Sequence, residues 1–202
     1  MRRTRRVAII YKSMPQYRRR FFELLRDSLA QEAIDLQLIY GQPGAKDAPK
    51  KDAVDLEWAQ RIENRIVRVA GRELYWQPCL RLVGGADLVI VEQASKLLVN
   101  YVLQARYLLG GARLAFWGHG KNFAHHDSNR FGEFLKRSLS RRVHWWFAYN
   151  AQSAAVVRSL GFPPDRTTLV QNAIDTRGLI AATRAVDRSA LKALCDELQL
   201  SG

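Results

Sequence analysis

A doubly wound α/β fold, with a mainly parallel sheet of about seven strands between layers of helices, is the architecture this sequence predicts. Three observations carry the prediction. Short apolar runs rich in branched residues alternate along the chain with longer stretches of helical spacing. Several of those runs are apolar at consecutive positions, as strands covered on both faces are. The stretches between them are long enough to return the chain to a parallel neighbour.

Taken in order, strands are expected at residues 7–11, 34–40, 66–69, 87–91, 113–117, 145–149 and 168–171. Helices are expected at 16–31, 95–109, 130–142 and 151–160, with Ser95 placed to cap the second and Gly110-Gly111 to end it. Residues 41–55, GQPGAKDAPKKDAVD, are polar, charged and punctuated by Pro and Gly, the composition of a surface loop. Residues 167–176, TTLVQNAIDT, are a β-rich run that breaks into a turn, in which Asn172 and Asp175 suit turn and cap roles. Asp187 is placed to cap a last helix carrying Leu191, Leu194 and Leu198 at helical spacing.

The length of 202 residues and a 48% hydrophobic content suit one domain with a sizeable core. No run reaches the roughly 18 consecutive apolar residues of a membrane-spanning helix. The short VAIIY stretch after MRRTRR is a strand pattern, not the core of a signal peptide. Cys79 and Cys195 lie far apart with no Cys-His spacing of a zinc site, which points to a reducing cytoplasm. The net charge of +13 is unevenly spread: eight cations precede the first acid, Glu23, and a second cluster runs from Arg130 to Arg142. Nucleic acid, an anionic membrane and phosphorylated substrates are all served by such a surface. Charge alone does not choose among them.

In an open parallel sheet ligands bind beyond the carboxyl ends of the strands, so the loops there are the candidate sites. After the first strand come Tyr17 and Arg18 at a helix start, where the backbone favours anions. No glycine lies between Met1 and Tyr40, so side chains must do there what a glycine-rich loop would do with amides. Glu92 stands at the end of a buried strand, where a charge needs pairing or solvent; acceptor binding and helix capping are both open to it. Gly118-His119-Gly120-Lys121 follows another strand end, with two glycines that allow close approach to a ligand. His125-His126-Asp127 lacks a partner at metal-binding spacing, and solvated loop residues are the simpler reading. No nucleophile elbow, Walker loop or supported Cys-His pair occurs. The 130–142 helix gathers Phe131, Phe134, Leu135 and Leu139 on one face and basic residues on the other, a pattern open to membrane contact.

The order of these features resembles the N-terminal domain of glycosyltransferases of the two-lobed GT-B type, in particular the retaining family-4-like group. The most specific stretches are Trp117 to Gly120 and the run from Tyr149-Asn150-Ala151-Gln152-Ser153 through Gly161-Phe162-Pro163-Pro164-Asp165-Arg166 to Asp175. The resemblance implies a Rossmann-like, acceptor-side domain over 1–185. It also implies that 186–202 is a helix leading toward an absent donor-binding domain. By the same resemblance the complete protein moves a sugar from a nucleotide-sugar donor to a hydroxyl of a glycan or lipid-linked acceptor, as in cell-envelope polysaccharide synthesis. No metal or other cofactor is expected. His119 would line the sugar site as the catalytic candidate, and Tyr17, Arg18, Glu92, Gly118, Gly120 and Lys121 would bind substrate. Arg130, Lys136, Arg137, Arg141 and Arg142 would meet an anionic membrane, making the protein cytoplasmic and peripheral at the inner face of that membrane. The alternative is a non-enzymatic module gripping nucleic acid or another polyanion. Against it, aromatic residues do not interleave with the Arg runs as they do in nucleic-acid-binding modules.

Overall fold

The computed structural model describes residues 4–45, 47–69, 71–120, 139–171 and 174–200. Seven strands form one sheet in the order β3-β2-β1-β6-β7-β8-β9, every neighbouring pair parallel. They are β1 (Arg5–Tyr11), β2 (Ile34–Tyr40), β3 (Gln60–Arg61), β6 (Leu88–Glu92), β7 (Arg113–Gly118), β8 (Trp145–Ala148) and β9 (Thr167–Leu169). Both edges are short, two residues at β3 and three at β9. This is the doubly wound fold expected from the sequence.

Consecutive apolar residues of the strands supply two cores, one on each face of the sheet. Ala8, Ile10, Val89, Val91, Leu114, Phe116 and Trp146 form one, under α2 (Val99–Leu108) and α3 (Ala151–Ser159). Ile9, Tyr11, Leu36, Leu38, Ile90, Ala115 and Trp117 form the other, under α1 (Arg19–Gln31). Helix α1 buries Phe22 fully and packs Phe21, Leu25 and Leu29 beside it, while Arg19 and Arg20 turn outward to Glu23. It follows one 3-10 turn (Gln16–Arg18), which carries the chain from β1 into the helix.

Two expected elements take a different form, and the strands at 60–61 and 72–76 and the helix at 176–184 are additional to expectation. The strand expected at 66–69 does not join the parallel sheet: β4 (Arg65–Val69) pairs antiparallel with β5 (Arg72–Trp76), turning through Gly71 at φ +73°. Gly71 at positive φ lets the chain fold back on itself, and this local pairing outweighs the βα rhythm. Helix α2 starts at Val99, not at Ser95, and has no side-chain cap. The Ser95–Leu98 segment instead meets β5, with Tyr75 N–H donating to Lys96 O at 2.8 Å and Leu98 N–H to Tyr75 O at 2.9 Å. The 41–55 loop is tied to the segment after β1, since Gln16 N–H donates to Asp52 O at 2.7 Å and Val54 N–H to Met14 O at 3.0 Å.

Beyond β9, α4 (Thr176–Arg184) and α5 (Arg188–Glu197) are capped as the sequence implies. Asp175 accepts from the N–H groups of Arg177 and Gly178, and Asp187 from that of Ser189. Their apolar side chains stay in solvent: Leu179, Ile180, Leu191, Leu194 and Leu198 are all exposed. No helix among the described residues is long and apolar enough to cross a membrane.

Candidate functional site

The strand order reverses direction at β1, which lies between β2 and β6, so the crevice at the carboxyl ends of β1 and β6 is the switch point where open α/β sheets bind ligands. Glu92 ends β6 and reaches sideways to β1, accepting the Lys12 N–H through Oε2. Burial pushes its carboxyl above the ordinary range, against the pull of that N–H and of the Lys12, Lys96 and Arg18 charges. Its own carbonyl accepts from Asn100 Nδ2 at 2.8 Å, which fixes the start of α2 to the strand end. Glu92 thus joins two strand ends and caps no helix.

Arg18 is 1% exposed. Its guanidinium carbon lies 5.3 Å from the ring centre of Tyr17, 5.7 Å from Phe21, and 5.6 Å from both Trp117 and Tyr149. Cation–π contacts of this kind contribute about 2 kcal/mol or more when desolvated. Burial works against the charge, and the faces of the surrounding rings offset it. The hydroxyls of Tyr11 and Tyr149 share a hydrogen bond, and burial keeps both phenols neutral. Tyr17 is the exposed member of this group.

His119 follows β7 with an exposed ring, tilted 52° against Tyr149 at a centroid distance of 4.5 Å. Its Nδ1 lies 3.1 Å from Ser153 Oγ. The first turn of α3 determines the tautomer. Ser153 donates its N–H and its hydroxyl proton to Asn150 Oδ1, at 2.8 and 2.9 Å, so its oxygen remains an acceptor toward His119. Nδ1 therefore carries the proton of the neutral ring and Nε2 is the basic nitrogen. Burial lowers the pKa below the usual 6.5, which keeps the ring neutral at pH 7. The flanking glycines are closely packed, Gly120 the more tightly. A Cβ at Gly118 would sit 3.0 Å from Gln93 Cβ, and one at Gly120, where φ is +74°, would sit 2.9 Å from Val157 Cγ2.

A second cluster lies on the other side of the Glu92 bond. Lys12, just past β1, pairs with Asp47 from the 41–55 loop, and Asp47 also takes Lys50 at 2.9 Å. These contacts lower its carboxyl to about 2. The ammonium groups of Lys12 and Lys96 each lie 5.5 Å from the centre of the Tyr75 ring, whose hydroxyl donates to Glu73 at 2.6 Å.

The structure brings Arg18, Tyr17, Glu92, Gly118, His119 and Gly120 to one end of the sheet. Lys121, Arg130, Lys136, Arg137, Asn172 and the His125-His126-Asp127 cluster lie outside the described residues, while Arg141 and Arg142 are exposed. Sequence reasoning did not single out Lys12, Asp47, Tyr75 or Lys96, which converge only because the hairpin docks beside the loop after β6. The Asn150-Ser153 support of His119 was legible as an Asn-x-x-Ser cap. A cavity of about 290 Å³ lined by Val83, Val89, Leu103, Arg106 and Leu114 opens at the opposite, amino ends of β6 and β7. It holds no acid–base pair.

No protein-family model and no curated protein matches the sequence. Solved structures do match the fold. HepE from Anabaena in complex with UDP aligns with a TM-score of 0.55 at 12% identity, covering 96% of this chain and 50% of HepE. The UDP-GlcNAc 2-epimerase of Neisseria meningitidis, bound to UDP-GlcNAc, gives 0.52 at 11% identity, covering 98% of this chain and 54% of the epimerase. The lipopolysaccharide outer core galactosyltransferase WaaB in its apo form gives 0.51 at 10% identity, with 84% and 46% covered. These proteins have folds of the GT-B type, and the chain described here has the same Rossmann-like sheet. It spans about half the length of each.

Proposed function

We propose that residues 1–185 are the acceptor-side half of a retaining, family-4-like glycosyltransferase, and that 186–202 lead toward a second, donor-binding domain. The whole protein then transfers a hexosyl group from a nucleotide sugar to a hydroxyl of a glycan or lipid-linked acceptor. The observation that carries this reading is His119. It stands beyond a central strand with its tautomer fixed by Ser153, and its glycine neighbours tolerate no side chain without displacement. The match to half of proteins whose structures hold UDP and UDP-glucose supports it. So do the exposed apolar sides of α4 and α5, which a second domain would cover.

With Nε2 basic and the ring neutral, His119 can accept a hydrogen bond from a sugar or acceptor hydroxyl and orient it. A positioned base of this kind contributes typically 10²–10⁴-fold where it takes the proton. Arg18 is buried beneath Tyr17, so it supplies a fixed positive field and not a direct contact. Charge on the leaving phosphate develops against that field.

Two assays test the reading. Residues 1–202 supplied with nucleotide sugars and acceptors should release no nucleoside diphosphate, whereas the protein including a carboxyl-terminal domain should, with kcat/KM reduced in His119→Ala. Turnover by residues 1–202 alone refutes the division of labour, and an unchanged kcat/KM removes His119 from the chemistry. Peripheral membrane contact through Arg141 and Arg142 belongs to the same proposal. It requires tighter sedimentation with anionic than with neutral vesicles at low salt, and equal sedimentation eliminates it.

A further inference from the structure

Holding two ammonium groups together costs free energy unless something negative lies between or above them. Lys12 and Lys96 are held in this way by the fold. Lys12 is fixed by its position after β1, by the bond from its N–H to Glu92 and by Asp47. Lys96 sits on the loop after β6, and its carbonyl anchors the Tyr75 N–H at 2.8 Å. Both ammonium groups lie 5.5 Å from the same ring centre, so neither can move far without giving up a contact with Tyr75.

The charges nearby do not balance. Asp47 is shared between Lys12 and Lys50, while Glu73 is engaged by the Tyr75 hydroxyl and by Arg68 at 3.5 Å. Glu92 is half-buried with its pKa raised, which weakens it as a counter-charge. Lys96 makes no ion pair among the described residues and is exposed to solvent. Partial burial and the neighbouring Lys12 charge lower its pKa, although Asp47 and Glu92 pull the other way. The cluster borders the switch-point crevice, on the β1 side of Glu92 and away from the His119 loop.

We infer that Lys12 and Lys96, converging on Tyr75 at the carboxyl ends of β1 and β6, form a subsite for a phosphate ester carried by the acceptor. This rests on the transferase reading for the word acceptor, but not for the binding itself. The ester oxygens would bridge the two ammonium groups as a point-charge clamp. Soluble sugar phosphates and lipid-borne phosphates share this chemistry.

The test uses residues 1–202 and two probes: methyl phosphate, and neutral vesicles doped with phosphatidic acid. Methyl phosphate should bind saturably and raise the Lys96 amine pKa followed by NMR of its side-chain carbon. Lys96→Gln should weaken binding by about tenfold. Lys50→Gln, on the solvent side of Asp47, should change it less than twofold. An adduct seen with methyl phosphate alone assigns a soluble ester. One seen only with doped vesicles, and lost in Lys96→Gln, assigns a lipid-borne one. Absence of saturable binding to either probe, or equal affinity in Lys96→Gln, overturns the subsite. The transferase reading fails separately. Phosphate binding lost in Lys96→Gln, with no glycosyl transfer in the longer protein, leaves the subsite and removes the transferase. Transfer whose acceptor KM is unchanged by Lys96→Gln does the reverse.

Discussion

Replacing Gly120 with Ala tests the geometry that holds His119. Gly120 has φ +74°, a conformation that costs an L-residue about 1–2 kcal/mol. The new Cβ would also lie 2.9 Å from Val157 Cγ2 and 3.2 Å from Val156 Cγ1. Val157 is fully buried in the core between α3 and the sheet, so the overlap is relieved only by shifting packed atoms, at about 1–3 kcal/mol. Gly110 supplies the control: its φ is +85°, and a Cβ there meets nothing within 4 Å. Gly110→Ala therefore carries the backbone cost alone, and gains in unfolded-state entropy cancel between the two variants. Urea unfolding should place Gly120→Ala about 1–3 kcal/mol below Gly110→Ala at equal m-values, each kcal/mol lowering Tm by roughly 2–4 °C in a chain of this size. Imidazole nitrogen shifts of His119 should change in the first variant and not in the second. Equal losses in the two variants would refute the claim that close packing on α3 holds this loop.

Three further outcomes follow from the same site. Asn150→Ala removes the cap of α3 and should cost about 1 kcal/mol in urea unfolding; with Ser153 released, nitrogen NMR should show the His119 tautomer preference weakened. Glu92→Gln keeps an acceptor for the Lys12 N–H, whereas Glu92→Ala leaves that group unsatisfied and should cost about 1–3 kcal/mol more. Because the folded pKa of Glu92 is raised, its stabilising contribution is complete below the unfolded value of 4.5 and declines as pH rises through the folded one, so Glu92→Gln should gain on the wild type between pH 4 and neutrality in urea titrations. His119 behaves in the opposite sense: its folded pKa lies below 6.5, so the unfolded chain binds protons first and stability falls as pH drops below that value. His119→Gln should flatten part of that fall; His144, whose pKa is also lowered by burial, contributes in the same direction.

What the sequence disclosed was mostly local or periodic. Residues 34–40 form a strand over the range their apolar pattern delimits, and the Asp175 and Asp187 caps follow from side chains bonding their own next turn. The departures come from contacts between distant segments. Ser95 has the residue type of a cap, but its segment is claimed by Tyr75 of the hairpin, and α2 begins four residues later. Arg18 opens a helix in a run of cations and reads as a substrate-binding side chain, yet rings from four separate segments close over it. The Lys12–Tyr75–Lys96 cluster was illegible for the same reason, since each member belongs to a different element.

The short outer strands have a consequence for how the molecule meets others. A parallel sheet with long free edges exposes rows of unpaired amides that can template a further strand from another chain. Here β3 offers two residues, one of them Arg61 paired with Asp55, and β9 offers three. A visiting peptide could gain only a few ladder bonds at either side. The main parallel sheet thereby stays out of reach of extended backbone pairing at its outer strands.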